Sequence, residues 1–471
     1  MDLKNLALGL YPYLEWWGYW STAVLALNML LANSHVRHST PIHIDVLLKL
    51  SYCYFLQKQL ILAESFAQAA EVLIRSGIDA AQTSRLYELR ANILMAKGEY
   101  RKAVNACTRA IEAAAEAHTE DLEQQARHTM ALAFSSMGEY DRLGVVLQQA
   151  SSPTLIAKSV ARAKLFQCQA QALAAVTLFL QGKLPDAEQK ARQALEIARN
   201  THNHRWIILS LEWLGWICNT QGKYDEVSCM MSEALALVQE AEFKEDLTFL
   251  YCNLGLIAKA KGALEEGQGH LLSALAIANE VPTGRMNGKS TLYSTLARIQ
   301  VADDDLSGAE MSANQSIDVA DNKMEIIPSL ALLGYIKARQ GETSHSAAHF
   351  GEAASRARRL GMLNGMFSLF ATHYRGEAAL HLGNYEAAVT DFAAAYKLAE
   401  RTQSPESLGI SSLGLARAYL AVQQRDNARA YAEISRTHLE GIGHCYSAAA
   451  NAVLENLSRS EQMTFNRAYG F

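Results

Sequence analysis

Two stretches of the chain set chemistry-bearing residues at suggestive spacings. The first, VPTGRMNGKST over residues 281–291, ends in Gly-Lys-Ser with Gly284 upstream. A phosphate-cradling loop needs Gly, four residues, then Gly-Lys-Ser or Thr, placed between a buried strand and a helix. Here only three residues separate Gly284 from Gly288, and Thr283 stands where the first Gly belongs. The preceding segment, GHLLSALAIANE (269–280), has helical spacing, and no later strand-like run ends in a magnesium-binding Asp. The stretch reads as a linker. The second, HSAAH, places His345 and His349 four apart, where one helix face could present two metal ligands. No third ligand completes the pattern and Phe350 adjoins the second histidine, so both read as surface or half-buried side chains. His202 and His204, and His35, His38 and His43, flank two loops. No G-x-S-x-G, H-E-x-x-H or Cys–His constellation occurs. Neither catalysis nor a metal or cofactor is expected of this chain alone.

Composition narrows the remaining classes. Of 471 residues half are hydrophobic and only 7 are Pro, which over such a length favours a mostly helical chain. Lys and Arg total 43 against 48 Asp and Glu, a net charge of -5, so no basic excess exists for nucleic acid. The 7 cysteines (Cys53, Cys107, Cys168, Cys218, Cys229, Cys252 and Cys445) are odd in number and scattered, which fits a reducing cytoplasm. The most apolar segment, WWGYWSTAVLALNMLLA (16–32), is too short to span a bilayer and contains Asn28, so it reads as an ordinary buried helix. The start, MDLKNLAL, lacks the positive charge of a signal peptide.

Self-similarity dominates the sequence. AKGEYRKAVNACTRAIE (96–112), TQGKYDEVSCMMSEALA (220–236) and HLGNYEAAVTDFAAAYK (381–397) each carry Gly, an aromatic two residues on, then small or apolar residues at helical spacing. Weaker copies place further turn glycines at Gly138, Gly182, Gly262 and Gly341. The register then picks out Gly18, Lys58, Asp304 and Gln423 at equivalent positions, giving eleven units of about 40 residues. Before each turn lies an apolar helical face, such as Leu211, Leu214, Gly215 and Cys218. After it comes a stripe such as Val227, Met231 and Ala234, or Ala388, Phe392 and Ala395. One such hairpin cannot bury its own apolar face, so neighbours must stack.

On these residues, and most clearly on WLGWICNTQGKYDEVSCMMSEAL (213–235) and YCNLGLIAKAKG (251–262), the units resemble tetratricopeptide repeats. The resemblance covers nearly the whole chain and departs from the pattern at Lys58, Asp304, Gln423 and the weakened Arg142-Leu143-Gly144 unit. It implies an all-α fold: a right-handed superhelical solenoid over residues 1–440, followed by a capping helix and tail over 441–471. The opening LGLYPYLEWWGYWSTAVLAL (8–27) is similar to the start of helical sensor arms in MalT-like signal-transduction ATPases with numerous domains.

In such arrays the first helix of each hairpin lines a concave groove. The stripe beside the core face comprises Glu88, Asn92, His128, Glu212, Trp216, Lys259, Arg298, Tyr335, Arg339, His373, Glu377 and Arg417. Its later half leans basic, suiting an acidic or carboxylate-ended peptide, with Trp216 and Tyr335 as aromatic anchors. Asn92 matches the chaperone-tail clamp of the family, but Glu88 stands where that clamp wants Lys, so a chaperone-tail receptor is not expected. Trp206, Trp213 and Trp216 read as core and groove wall. The resemblance implies a non-enzymatic scaffold or sensor binding a protein or peptide in the groove. The alternative is a ligand-responsive receptor, similar to Rap-type regulators, that controls a partner protein. The apolar first unit, with Trp16, Trp17 and Trp20, would offer a surface for self-association.

Overall fold

The computed structural model describes residues 8–14, 19–33, 36, 39–57, 59–75, 79–137, 139–150, 160–240, 246–280, 288–320, 325–360 and 365–469. Among these, every regular element is helical and no strand occurs. Consecutive helices pack as antiparallel pairs, and first helices of neighbouring pairs also touch, as in His204–Thr220 against Leu247–Lys261. The chain is thus an all-α helical-repeat solenoid. Gly18, Lys58 and Gly138, the expected turns of three units, lie outside the described residues, as do Trp16, Trp17, His35, His38 and 281–287. The segment before that linker is the helix Leu264–Glu280, as its spacing predicts.

One turn shows how the sequence ends a helix. The N–H of Gly222 bonds to Asn219 O at 2.9 Å and that of Lys223 to Cys218 O at 2.9 Å. These paired bonds satisfy carbonyls that the helix end would orphan, and they need a left-handed residue, here Gly222 at φ 75°. Asp304 and Gln423, which replace Gly at the equivalent positions, take φ 64° and 62° and make the same two-bond closure. Packing therefore holds side chains in a conformation that favours Gly.

The stripes predicted for the two helices are the buried ones. Leu211, Leu214 and Cys218 are fully buried, as are Val227, Met231 and Ala234, and Ala388, Phe392 and Ala395. Phe392, on Tyr385–Thr402, lies between Gly376 on Met366–His381 and Gly414 on Pro405–Ala421. A Cβ at Gly376 would stand 2.9 Å from the ring, and one at Gly414 closer still. The first-helix glycines are thus sockets for large second-helix side chains. Phe350 against Gly334 repeats the arrangement.

The last segment does more than cap. The terminal helix begins at Ser447, within the 441–471 segment expected to hold it, and packs on Arg425–Gly441. Residues 442–446 turn back instead onto the middle of the array.

Candidate functional site

The concave face closes on itself. The helix Val160–Leu180 touches Met366–His381, and His204–Thr220 touches Pro405–Ala421, each pair five units apart. Two hydrogen bonds fasten this closure. Ser404 Oγ donates to Thr220 O at 2.6 Å, and the Cys445 N–H donates to Ala260 O at 2.8 Å. Both acceptors are carbonyls at helix C-terminal ends, which lack intrahelical donors, so residues 184 and 185 positions away cap them. Ser404 Oγ also accepts the Ser407 N–H at 3.1 Å, capping its own helix. Ile442 packs where a Cβ on Gly222 would stand 2.7 Å away, and Cys445 where one on Gly262 would stand 3.2 Å away. Two turn glycines thereby admit the returning chain. Apolar burial joins in: Ile442, Leu360, Met366 and Phe367 pack on the core of residues 168–260.

Inside the closure lies a cavity of about 630 Å³, a volume in the range of small-molecule sites. Trp213, Trp216, Phe370, Tyr374 and Tyr446 form much of its wall. Its charged groups fall into two kinds. Arg417 holds Glu377 through two contacts of 2.9 and 3.0 Å, and Arg339 holds Asp304 at 2.7 Å and Tyr335 Oη at 3.0 Å. Lys259 and Arg298, by contrast, have no carboxylate within ion-pair distance among the described residues. Lys259 stands 5.8 Å from the Tyr446 ring and Arg298 5.0 Å from the Phe370 ring. Burial, then Arg298, pushes the Lys259 ammonium below its ordinary pKa, while burial pushes the Glu406 carboxyl up. Trp216 Nε1, Arg298 Nε and His373 Nδ1 are buried without a hydrogen-bond partner. Native proteins seldom leave such groups unmatched unless a water, ion or ligand serves them.

Of the twelve stripe residues, eight line this cavity: Trp216, Lys259, Arg298, Tyr335, Arg339, His373, Glu377 and Arg417. The other four lie elsewhere. Glu88, 8% exposed, accepts from Asn92 at 2.6 Å and Thr129 at 3.1 Å, a node between Ala80–Ala96 and Glu120–Met137. His128 neighbours Thr129 on the latter helix, and burial lowers its pKa to about 4. Glu212, 3% exposed, is buried and its carbonyl accepts from Asn253. A stripe drawn one position from the core face rotates under the neighbouring helix wherever two first helices sit close together. Trp213 also reaches the cavity and Trp206 packs on the core, as the aromatic spacing suggests.

Sequence reasoning missed Phe370, Tyr374, Glu406 and Tyr446. Tyr374 adjoins His373, so a wider stripe would have included it. Glu406 and Tyr446 reach the cavity only because the chain returns on itself, and no local pattern marks them. His345 is exposed and bonds Glu342 at 2.8 Å, His349 is half-buried, and no cluster of metal-ligating residues occurs among the described residues.

Comparison with known proteins follows the same division of the chain. A tetratricopeptide-repeat family model matches residues 84–116, and the model of the MalT-like TPR region matches residues 168–457. No curated protein matches the chain. Among solved structures, a Rap protein complexed with competence and sporulation factor is similar at TM-score 0.44 and 11% identity, over 85% of this chain and 98% of that one. The Rap conjugation gene regulator of plasmid pLS20, in complex with the Phr* peptide, is similar at TM-score 0.49 and 11% identity, over 85% and 96%. The APC/C hetero-tetramer Cut9-Hcn1 is similar at 0.46 and 10%, over 98% and 91%. The MalT-like match spans 290 of 471 residues, from the first helix that closes the cavity to the last, and the chain belongs to that family of tetratricopeptide-type repeat proteins.

Proposed function

We propose that this chain is a ligand-responsive binding module, without catalysis of its own, that takes its ligand inside the closed concave face. The observation carrying this reading is the cavity itself: it lies between helices five units apart, partly covered, with aromatic walls and unmatched buried donors. An open groove would suit a long extended peptide. A cavity of about 630 Å³ suits a small molecule or the end of a peptide. A ligand touching both sides would favour the closed state by its differential affinity for it, and so alter the surface offered to a partner protein. The proposed contact residues are the eight stripe residues on the cavity wall. Scattered thiols support a cytoplasmic setting. Among the described residues no helix is long and apolar enough to cross a membrane. We keep the division into a solenoid over 1–440 and a terminal segment over 441–471 as part of the proposal, with 442–446 assigned to closure.

The test is to present pooled metabolites and short peptides to the purified chain, reading melting temperature and hydrogen exchange at the Cys445 amide. A ligand that raises both, and fails to do so with Trp216→Ala, supports the reading. A ligand bound equally by that variant, with no added protection at Cys445, would place the site outside the cavity.

Exposed apolar residues on the first units favour a second surface. Leu25, Met29, Ile61 and Val72 are 64, 52, 87 and 69% exposed. We propose this face for self-association; a monomeric mass at micromolar concentration, unchanged by Ile61→Glu, would remove it.

A further inference from the structure

We propose that Lys259 and Arg298 form an anion receptor inside the cavity, taking the carboxylate or phosphate end of a small ligand whose apolar body rests on the aromatic wall. The inference rests on the reading that the cavity binds a ligand, and adds its chemical class.

The argument begins with matched and unmatched charges. Four cations reach the cavity, and Arg339 and Arg417 are already held by Asp304 and Glu377. Lys259, only 9% exposed, has no such partner, and Arg298 has a buried Nε with none. A buried cation costs several kcal/mol unless paired, and aromatic faces recover only part of that. Arg298 Nε and Trp216 Nε1 are buried without a partner and, like Lys259 Nζ, are donors only, so a group that completes them accepts several hydrogen bonds. Carboxylate and phosphate oxygens do so with the added strength of charge.

Acidic groups at the wall do not remove the need. Glu377 and Asp304 are occupied, and Glu325 has an interaction of its own. Glu406 remains: burial pushes its carboxyl up, the Lys259 and Arg298 charges and the Tyr224 hydroxyl pull it down, and among the described residues it forms no ion pair with either cation. These donors belong to Trp216 on His204–Thr220, Lys259 on Leu247–Lys261 and Arg298 on Gly288–Ala302, consecutive first helices of three units. This arrangement gives the cavity a polar side, with the returning Tyr446 ring 5.8 Å from the Lys259 ammonium.

Phenylacetate, phenyl phosphate and phenylacetamide separate the possibilities, because they share a body and differ in the head. Binding is read by titration calorimetry against the native chain and the Lys259→Met, Arg298→Met and Lys259→Arg variants, with melting temperature confirming that each folds. The proposal expects at least one anion to bind tenfold or more tightly than the amide. It expects each Met variant to lose that preference and Lys259→Arg to keep it. Preference for phenylacetate or for phenyl phosphate then decides which head the site is built for. Amide binding equal to that of the anions, and unaltered in the Met variants, would overturn the anion receptor and leave the cavity reading standing. If instead none of the three binds and pooled ligands leave the Cys445 amide unprotected, both fall together.

Discussion

The units between Thr40 and Met137 and those between Val160 and Gly441 use the same hairpin, yet they finish their inner faces differently. In the first region several inward polar groups find partners, although Gln124 Oε1 and Ser136 Oγ are buried without one. Asn92 and Thr129 both donate to Glu88, and Ser51 and Ser84 bond carbonyls of their own hairpins at 2.6 and 2.8 Å. In the second region the inner face meets another part of the chain, and Trp216, Arg298 and His373 retain unmatched buried atoms. The unmatched groups of the second region differ in lying beside a cavity that a later part of the same chain helps to wall. The MalT-like match covers the second region and stops short of the first.

Breaking the closure should give the largest effect. Ile442→Asp places a carboxylate against Gly222 and should cost about 3 kcal/mol in the closed region, by analogy with uncompensated buried charge. The measurement is small-angle scattering with circular dichroism: the radius of gyration should rise while helicity stays, and the Thr40–Met137 units should keep their exchange protection. An unchanged radius would show that the remaining contacts hold the array closed alone.

A second substitution tests packing within units. Gly414→Ala drives a methyl into the Phe392 ring and should destabilise by about 1–3 kcal/mol through overpacking. Gly414→Ala with Phe392→Leu should recover part of the loss in chemical denaturation. Failure of that rescue would mean the socket is not the reason for glycine here.

The smallest effect is on acid stability, and it distinguishes the regions. Burial lowers His444 in the closure to about 3 and His128 in the first region to about 4, from an ordinary 6.5. Both stay neutral in the folded chain, while the unfolded chain takes up a proton on each as pH falls below 6.5. Their contribution is therefore intact above about pH 6.5 and is lost towards pH 4. Groups facing His444 are Glu406 at 3.9 Å, the Tyr224 and Tyr446 rings, and Lys259. His444→Gln should flatten the acid loss of Cys445 protection, and His128→Gln should leave that loss unchanged. Melting and exchange measured between pH 7 and 4 check this.

Much of the array was legible because its physics is local. A helix face repeats within a few residues, and a turn glycine announces itself beside its aromatic neighbour. The register picked out Asp304 and Gln423 as turn positions, but their left-handed backbone is visible only in the structure. The cavity was half legible: Lys259, Arg298 and Arg417 followed from facing inward, whichever way the array curved. Its enclosure was not. Glu406 resembles any acidic residue in a first helical turn, and Tyr446 any aromatic after a turn. Contacts across 184 and 185 residues, Ser404 to Thr220 and Cys445 to Ala260, give them their place. Glu88 and Glu212 were drawn into the groove because a one-dimensional stripe does not register how closely adjacent helices approach.

The long reach of the Ser404 and Cys445 bonds has a consequence for how the protein comes to exist. Hairpins need only neighbours and can form one after another as the chain emerges, since local contacts carry little loop entropy. The cavity must wait until residues 404–446 have been made and have travelled back to helix ends built much earlier. During that interval its aromatic wall is open to solvent and to other chains. The cavity is thus completed late and all at once, and chains interrupted before residue 404 would be helical arrays without it.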